Sequence, residues 1–210
     1  MHYLMEVVMP PTEDVEKALE EILKDYSEHE EENDHAFYDW YQIGGRFSGS
    51  KLEAKLGEDR IKAFYDKLKE EKVTVSSVVF GKEELRPDSQ IEKVDNMWRE
   101  AFPDSGVSQC PFFKHYEGNA LDICTLEEMP KGHTCCRVIF AYKQDKALRI
   151  SEMFQTKFYN GVSWLDAKWS GDFDEAMEMF KEEIKNYSDE YKEKETPKND
   201  WLVVSVDYHT

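Results

Sequence analysis

His2–Tyr26 reads HYLMEVVMPPTEDVEKALEEILKDY, and this stretch decides the fold class. His2–Met9 is a β-rich run stopped by Pro10-Pro11, which can neither donate to a strand ladder nor continue it. Thr12 then offers an N-cap oxygen, and Glu13 and Asp14 suit the positive end of a helix. Val15, Ala18, Leu19, Ile22, Leu23 and Tyr26 follow at helical spacing. The chain therefore starts as a strand followed by an amphipathic helix.

The other end mirrors this start. Gly171-Asp172 opens a second helical pattern, with Phe173, Ala176, Met177, Phe180, Ile184 and Tyr187 on one stripe. Asp172 with Glu175 resembles a capping box. A polar linker, Ser188–Asp200, leads to a closing strand over Trp201–His209. Strand and helix paired at both ends predict an α+β fold: a mostly antiparallel sheet with helices packed on one face, in a ferredoxin-like arrangement.

Between the ends the pattern is mixed. A helix is expected over Glu58–Lys72, with Ile61, Phe64, Tyr65 and Leu68 on one face, and a β-rich run over Lys72–Phe80. A brief helix fits Ile91–Phe102, a strand fits Cys136–Tyr142, and Met153–Trp169 reads as further strand or turn. Residues 81–134 hold Pro87, Pro103, Pro111 and Pro130 among short apolar pieces. They read as an irregular insertion or extra layer within a single domain spanning 1–210.

Composition removes several classes of function. The 210 residues carry 45 acidic against 27 basic side chains, a formal charge of −18, so direct nucleic-acid binding is not expected. The 12 Phe, 11 Tyr and 5 Trp argue against disorder. No apolar run is long enough for a membrane span, and no basic region precedes the first apolar stretch as in a secretory signal. Four Cys are too few for a disulfide scaffold and fit a reducing cytoplasm. Their spacing lacks paired zinc-ligand motifs, so no metal site is expected from them and buried thiols are. The cofactor is left unspecified.

Two constellations carry candidate chemistry. The first is the run Trp40-Tyr41-Gln42-Ile43-Gly44-Gly45-Arg46-Phe47-Ser48-Gly49. Gly44-Gly45 permits positive φ and close backbone approach, Arg46 offers a planar fork for an anion, and Trp40 and Tyr41 supply stacking faces. The alternative is a tight turn whose aromatics join the core and whose Arg46 pairs with a carboxylate of the chain. The second is the closing strand, where Asp207 and His209 share a face about 6.5–7 Å apart, close enough for a common ligand. Otherwise they are polar residues on a strand tip.

Asp39–Gly49 resembles the W-Y-x-x-G-G-R-[WF]-x-G signature of a family of uncharacterised proteins from bacteriophages, plasmids and their hosts, and Trp201–His209 is similar to that family's closing V-x-V-D-x-H strand. A Gly-Trp-Trp motif of the family has only approximate counterparts in Phe158–Gly161 and Ser163-Trp164. The resemblance implies that Trp40, Gly44, Gly45, Arg46, Asp207 and His209 form one place in the fold, and that the setting is a host-cell cytoplasm. It implies no reaction.

Two functions follow as expectations. One is an accessory protein of a phage or mobile element that binds a basic host or phage protein, such as a nuclease or a defence complex, through acidic surface in Glu28–Asp34 or Asp172–Glu195. The other is an enzyme or binder for a nucleotide-like or phosphorylated ligand, held by Gly44, Gly45 and Arg46, with His209 as general acid or base and Asp207 orienting it or joining a metal.

Overall fold

The computed structural model describes residues 1–29, 36–73, 75–79, 82–85, 90–113, 115–144, 147–154, 171–184 and 197–210. The chain divides into two compact units: Met1–Ile43 with Ile123–Thr210, and Gly44–Asp122. The irregular stretch expected over 81–134 is thus shared: its residues up to Asp122 belong to the second unit, and those from Ile123 to the first.

The first unit is built on one sheet. Strands β1 (His2–Met9), β2 (Trp40–Ile43), β5 (Ile123–Thr125), β7 (Arg137–Gln144), β8 (Ala147–Phe154) and β10 (Leu202–His209) form it in the order β2-β10-β1-β7-β8, with β5 also on β10, while the short β6 (Thr134–Cys135) and β9 (Gly171–Asp172) pair with each other. The chain's two ends pair along their whole length, from His2 opposite His209 to Met9 opposite Leu202. All pairings in this sheet are antiparallel except β1 with β7. Within this order β10 separates β1 from β2, the two strands that the first helix joins. The parallel β1–β7 pair and the β7–β8 hairpin extend it into a mixed sheet.

Helix α1 (Val15–Leu23) packs Leu19, Ile22 and Leu23 onto Tyr3, Met5, Val7 and Met9 of β1 and Val204, Val206 and Tyr208 of β10. Its N-cap is Asp14, whose side chain accepts from the Lys17 amide at 3.0 Å, rather than the expected Thr12. Thr12 instead accepts from the Asp14 amide. Helix α5 (Phe173–Ile184) lies on the opposite face, where Phe180 stacks on Phe140 of β7 with ring centres 4.1 Å apart. Helices therefore cover both faces, where the sequence pattern predicts cover on one. The reason is in the strands: β1 and β10 are buried on both sides, and each apolar face must be covered. The Asp172 carboxylate accepts from the Asp174 amide and caps the start of α5 as expected.

The second unit holds α2 (Ser50–Leu56), α3 (Glu58–Glu70), the hairpin β3 (Val75–Val79) and β4 (Lys82–Leu85), and α4 (Ile91–Ala101). Its core joins Leu52, Leu56, Ile61, Phe64 and Leu68 to Val94, Met97, Trp98 and Phe102. Aromatic edges do much of the packing, with Phe64 against Trp98 at 5.5 Å and against Phe102 at 5.6 Å. Among the described residues no helix is long and apolar enough to cross a membrane.

Candidate functional site

The end of β10 is where polar chemistry reaches the surface. Antiparallel register places His2, His209 and Trp40 in one row across β1, β10 and β2. Alternation then puts all three side chains on the sheet face opposite α1. His2 and His209 meet edge to face with ring centres 5.1 Å apart, and Trp40 stacks nearly parallel to His209 at 6.0 Å. Trp40 also touches the His2 ring at 5.1 Å and remains 41% exposed.

Each imidazole is held from behind by a carboxylate. His2 donates Nδ1–H to Asp207 at 2.9 Å, and His209 donates Nδ1–H to both oxygens of Asp39 at 2.9 and 3.0 Å. A carboxylate can only accept, so both rings carry the proton on Nδ1 and direct Nε2 away from it. Burial pushes the Asp39 carboxyl up, but the hydrogen bond and charge of His209 outweigh this and hold it below its ordinary value. Asp207 thus shares a face with His209, as expected, but orients His2 instead. The Asp39 amide also donates to the His209 carbonyl, fixing the pair through the backbone.

Further along the same face lies a buried polar group. Glu6 Oε1 accepts from His133 Nε2 at 2.8 Å and from Ser205 Oγ at 2.9 Å, and none of the three residues exceeds 2% exposure. Ser205 bonds the carboxylate rather than the imidazole and is closed to solvent, so the group lacks the arrangement of an activated nucleophile. Its part is structural. The His133 carbonyl accepts from the Phe173 amide at the start of α5, so the group ties β1, β10 and α5 together.

The glycine turn has a different occupant from the one a ligand reading would give it. Gly44 and Gly45 have φ of 66° and 50°. Asp122 fills the turn: its carboxylate accepts from Ser48 Oγ at 2.5 Å and from the Gly49 amide at 2.9 Å. A Cβ at Gly44 would fall 2.9 Å from the Asp122 carboxyl carbon and closer still to Oδ2. Gly44 is therefore glycine for two reasons, a left-handed φ and a carboxylate lying against its Cα. Buried Lys51 donates to the Asp122 carbonyl at 3.3 Å. Arg46 is exposed on the surface of this second unit, whereas Trp40, Tyr41, Asp207 and His209 belong to the first.

Tyr41 faces the side opposite Trp40, against α1. There an open groove of about 620 Å³ is lined by Asp14, Glu16, Lys17, Glu20, Tyr41, Gln42 and Ile43. Burial, then the charges of Glu20 and Glu16, push the Tyr41 phenol up. The groove runs beside β2, the outer strand of the sheet.

Of the four thiols, Cys110, Cys124 and Cys135 are buried and Cys136 half-buried, and none of them is in a disulfide. Burial pushes the Cys136 thiol up, away from reactivity. Among the described residues no group of three or more His, Cys, Asp or Glu side chains is placed to hold a metal ion. Residues 30–35, 155–170 and 185–196 lie outside the described residues, so most of the Glu28–Asp34 run, the Phe158–Trp164 segment and the far end of Asp172–Glu195 are not placed.

His2, Asp39, Asp122 and the α1 groove were not singled out from the sequence. Pairing of the two chain ends would have found His2, which then falls opposite His209. Comparison with known protein families, with curated proteins and with solved structures finds no match to this chain.

Proposed function

We propose that the protein acts by binding, and that the groove between α1 and β2 receives a basic, extended segment of a partner protein. The observation that carries this reading is a groove beside an outer strand in which Asp14, Glu16 and Glu20 outnumber the one cation, Lys17, with the charges of Glu16 and Glu20 felt at Tyr41. An outer strand offers backbone groups to an added strand, and the carboxylates favour Lys and Arg on it. The net charge of −18 adds long-range attraction, so association is fast and weakened by salt.

The partner class is a basic nucleic-acid-binding protein, such as a host nuclease or a defence complex. The setting is that of an accessory protein of a phage or mobile element in the host cytoplasm. A lysine-rich extended peptide labelled for fluorescence anisotropy tests the groove. The double variant Glu16→Gln/Glu20→Gln is compared with Glu92→Gln/Glu127→Gln, which removes the same charge from exposed positions elsewhere. Weaker binding and a shallower salt dependence only in the first variant are expected. Equal losses in both would show general charge attraction and overturn the groove assignment.

A further inference from the structure

We infer that His2 and His209 form a binding site for a divalent first-row transition ion, coordinated by the two Nε2 atoms with water completing its shell. The site is separate from the α1 groove and stands without it.

Three observations converge on this. The register sets His2 directly opposite His209 on adjacent antiparallel strands, so the backbone brings both imidazoles to one face. Both rings donate Nδ1–H to a carboxylate, Asp207 behind one and Asp39 behind the other. That is the support a metal-ligating histidine ordinarily has: it fixes the tautomer and leaves the Nε2 lone pair pointing away from the carboxylate. The spacing also fits. Two imidazoles sharing one tetrahedral ion through bonds of about 2.0–2.1 Å hold their ring centres about 5 Å apart. Those of His2 and His209 are 5.1 Å apart with their planes inclined at 67°, so an ion seats between the Nε2 atoms once it displaces the edge-to-face contact of the rings.

Charge decides between an anion and a cation. Protonated rings would each face a carboxylate already placed against them, so the four side chains would sum to zero and attract an anion weakly. With neutral rings the same two carboxylates leave a local charge of minus two, which a dication offsets. Imidazole donors select among such ions, favouring Ni, Cu and Zn over Mg and Ca. Trp40, in contact with both rings, supplies the optical report.

The test is a titration of the whole protein with Ni(II), read by calorimetry and by quenching of Trp fluorescence. One ion per chain is expected, with quenching that disappears in Trp40→Phe while the calorimetric binding stays. His209→Gln should weaken binding at least ten-fold. This variant also separates the site from chelation by the N-terminal amine with His2, which it would leave intact. Asp39→Asn, at a half-buried position, should weaken binding about 10–100-fold, as loss of a supporting carboxylate does. Cys136→Ser and His29→Gln should bind as the parent does. Binding undiminished in His209→Gln, or lost equally in Cys136→Ser, would overturn the assignment.

Discussion

The Gly44–Gly49 turn and the end of β10 look alike as sequence: each sets polar and aromatic residues where a ligand could be held. In the folded chain they part. The turn's hydroxyl and amide, Ser48 and Gly49, are taken by Asp122, a carboxylate of the chain itself. At the strand end the carboxylates lie behind the histidines, and the outer ring nitrogens face away from them. One motif is closed by its own fold and the other is presented by it. A donor set counts as a ligand site only after intramolecular acceptors have been subtracted.

The largest effect expected is at the interior end of the same β1–β10 face, where polar groups are closed entirely. Glu6→Ala leaves His133 and Ser205 buried without their acceptor and should destabilise the protein by about 3–5 kcal/mol, measured by urea unfolding. A loss under about 1 kcal/mol would mean that the group is not a tie between strands and helix. Next comes the turn. Gly44→Ala forces a side chain into a left-handed φ and toward the Asp122 carboxylate, for a loss of about 1–3 kcal/mol. Asp122→Ala removes an acceptor for Ser48 and Gly49 and should lose about 1.5–3 kcal/mol. In the double variant the losses should fall short of their sum, because both changes break the same contact. Strict additivity would separate the turn from Asp122.

The smallest effect is at the half-buried Asp39–His209 pair. Asp39 has a depressed pKa in the folded state, so its contribution to stability is present above the ordinary carboxylate value of 3.8 and is lost as pH falls below it. The melting temperature of Asp39→Asn should therefore lie slightly below that of the parent at about pH 5 and converge with it as acid protonates the carboxyl. A gap that widens in acid would contradict the His209 contact.

Much of this was legible in the residues. The β1 and β10 boundaries and the alternation of Val204, Val206 and Tyr208 against Ser205, Asp207 and His209 follow from period-two patterning. Helix α3, expected to Lys72, ends at Glu70, and α4 falls within a residue of its expected end. Helix α2 was missed because Gly49 and Gly57 bracket only seven residues, too few for a periodic signal. The cover on both faces was written in the strands, where Leu4 and Val8 stand opposite Met5 and Val7, but Glu6 among them reads as a solvent-facing position. Its buried partners, His133 and Ser205, lie 127 and 199 residues away along the chain. Asp122 is likewise distant from the turn it fills, and one carboxylate among 45 acidic residues carries no mark of its role. Local patterns give elements; the partners of buried polar groups are set by the topology.

The proposed function, with the acidic α1–β2 groove open to a partner and the glycine turn closed by Asp122, is tested most directly by backbone amide chemical shifts of the labelled protein during titration with a lysine-rich extended peptide. Shifts concentrated at Asp14–Glu20 and Tyr41–Ile43, with Gly45–Gly49 and Asp122 unmoved, are the predicted result. Shifts confined to Gly45–Gly49, with α1 and β2 silent, would contradict it.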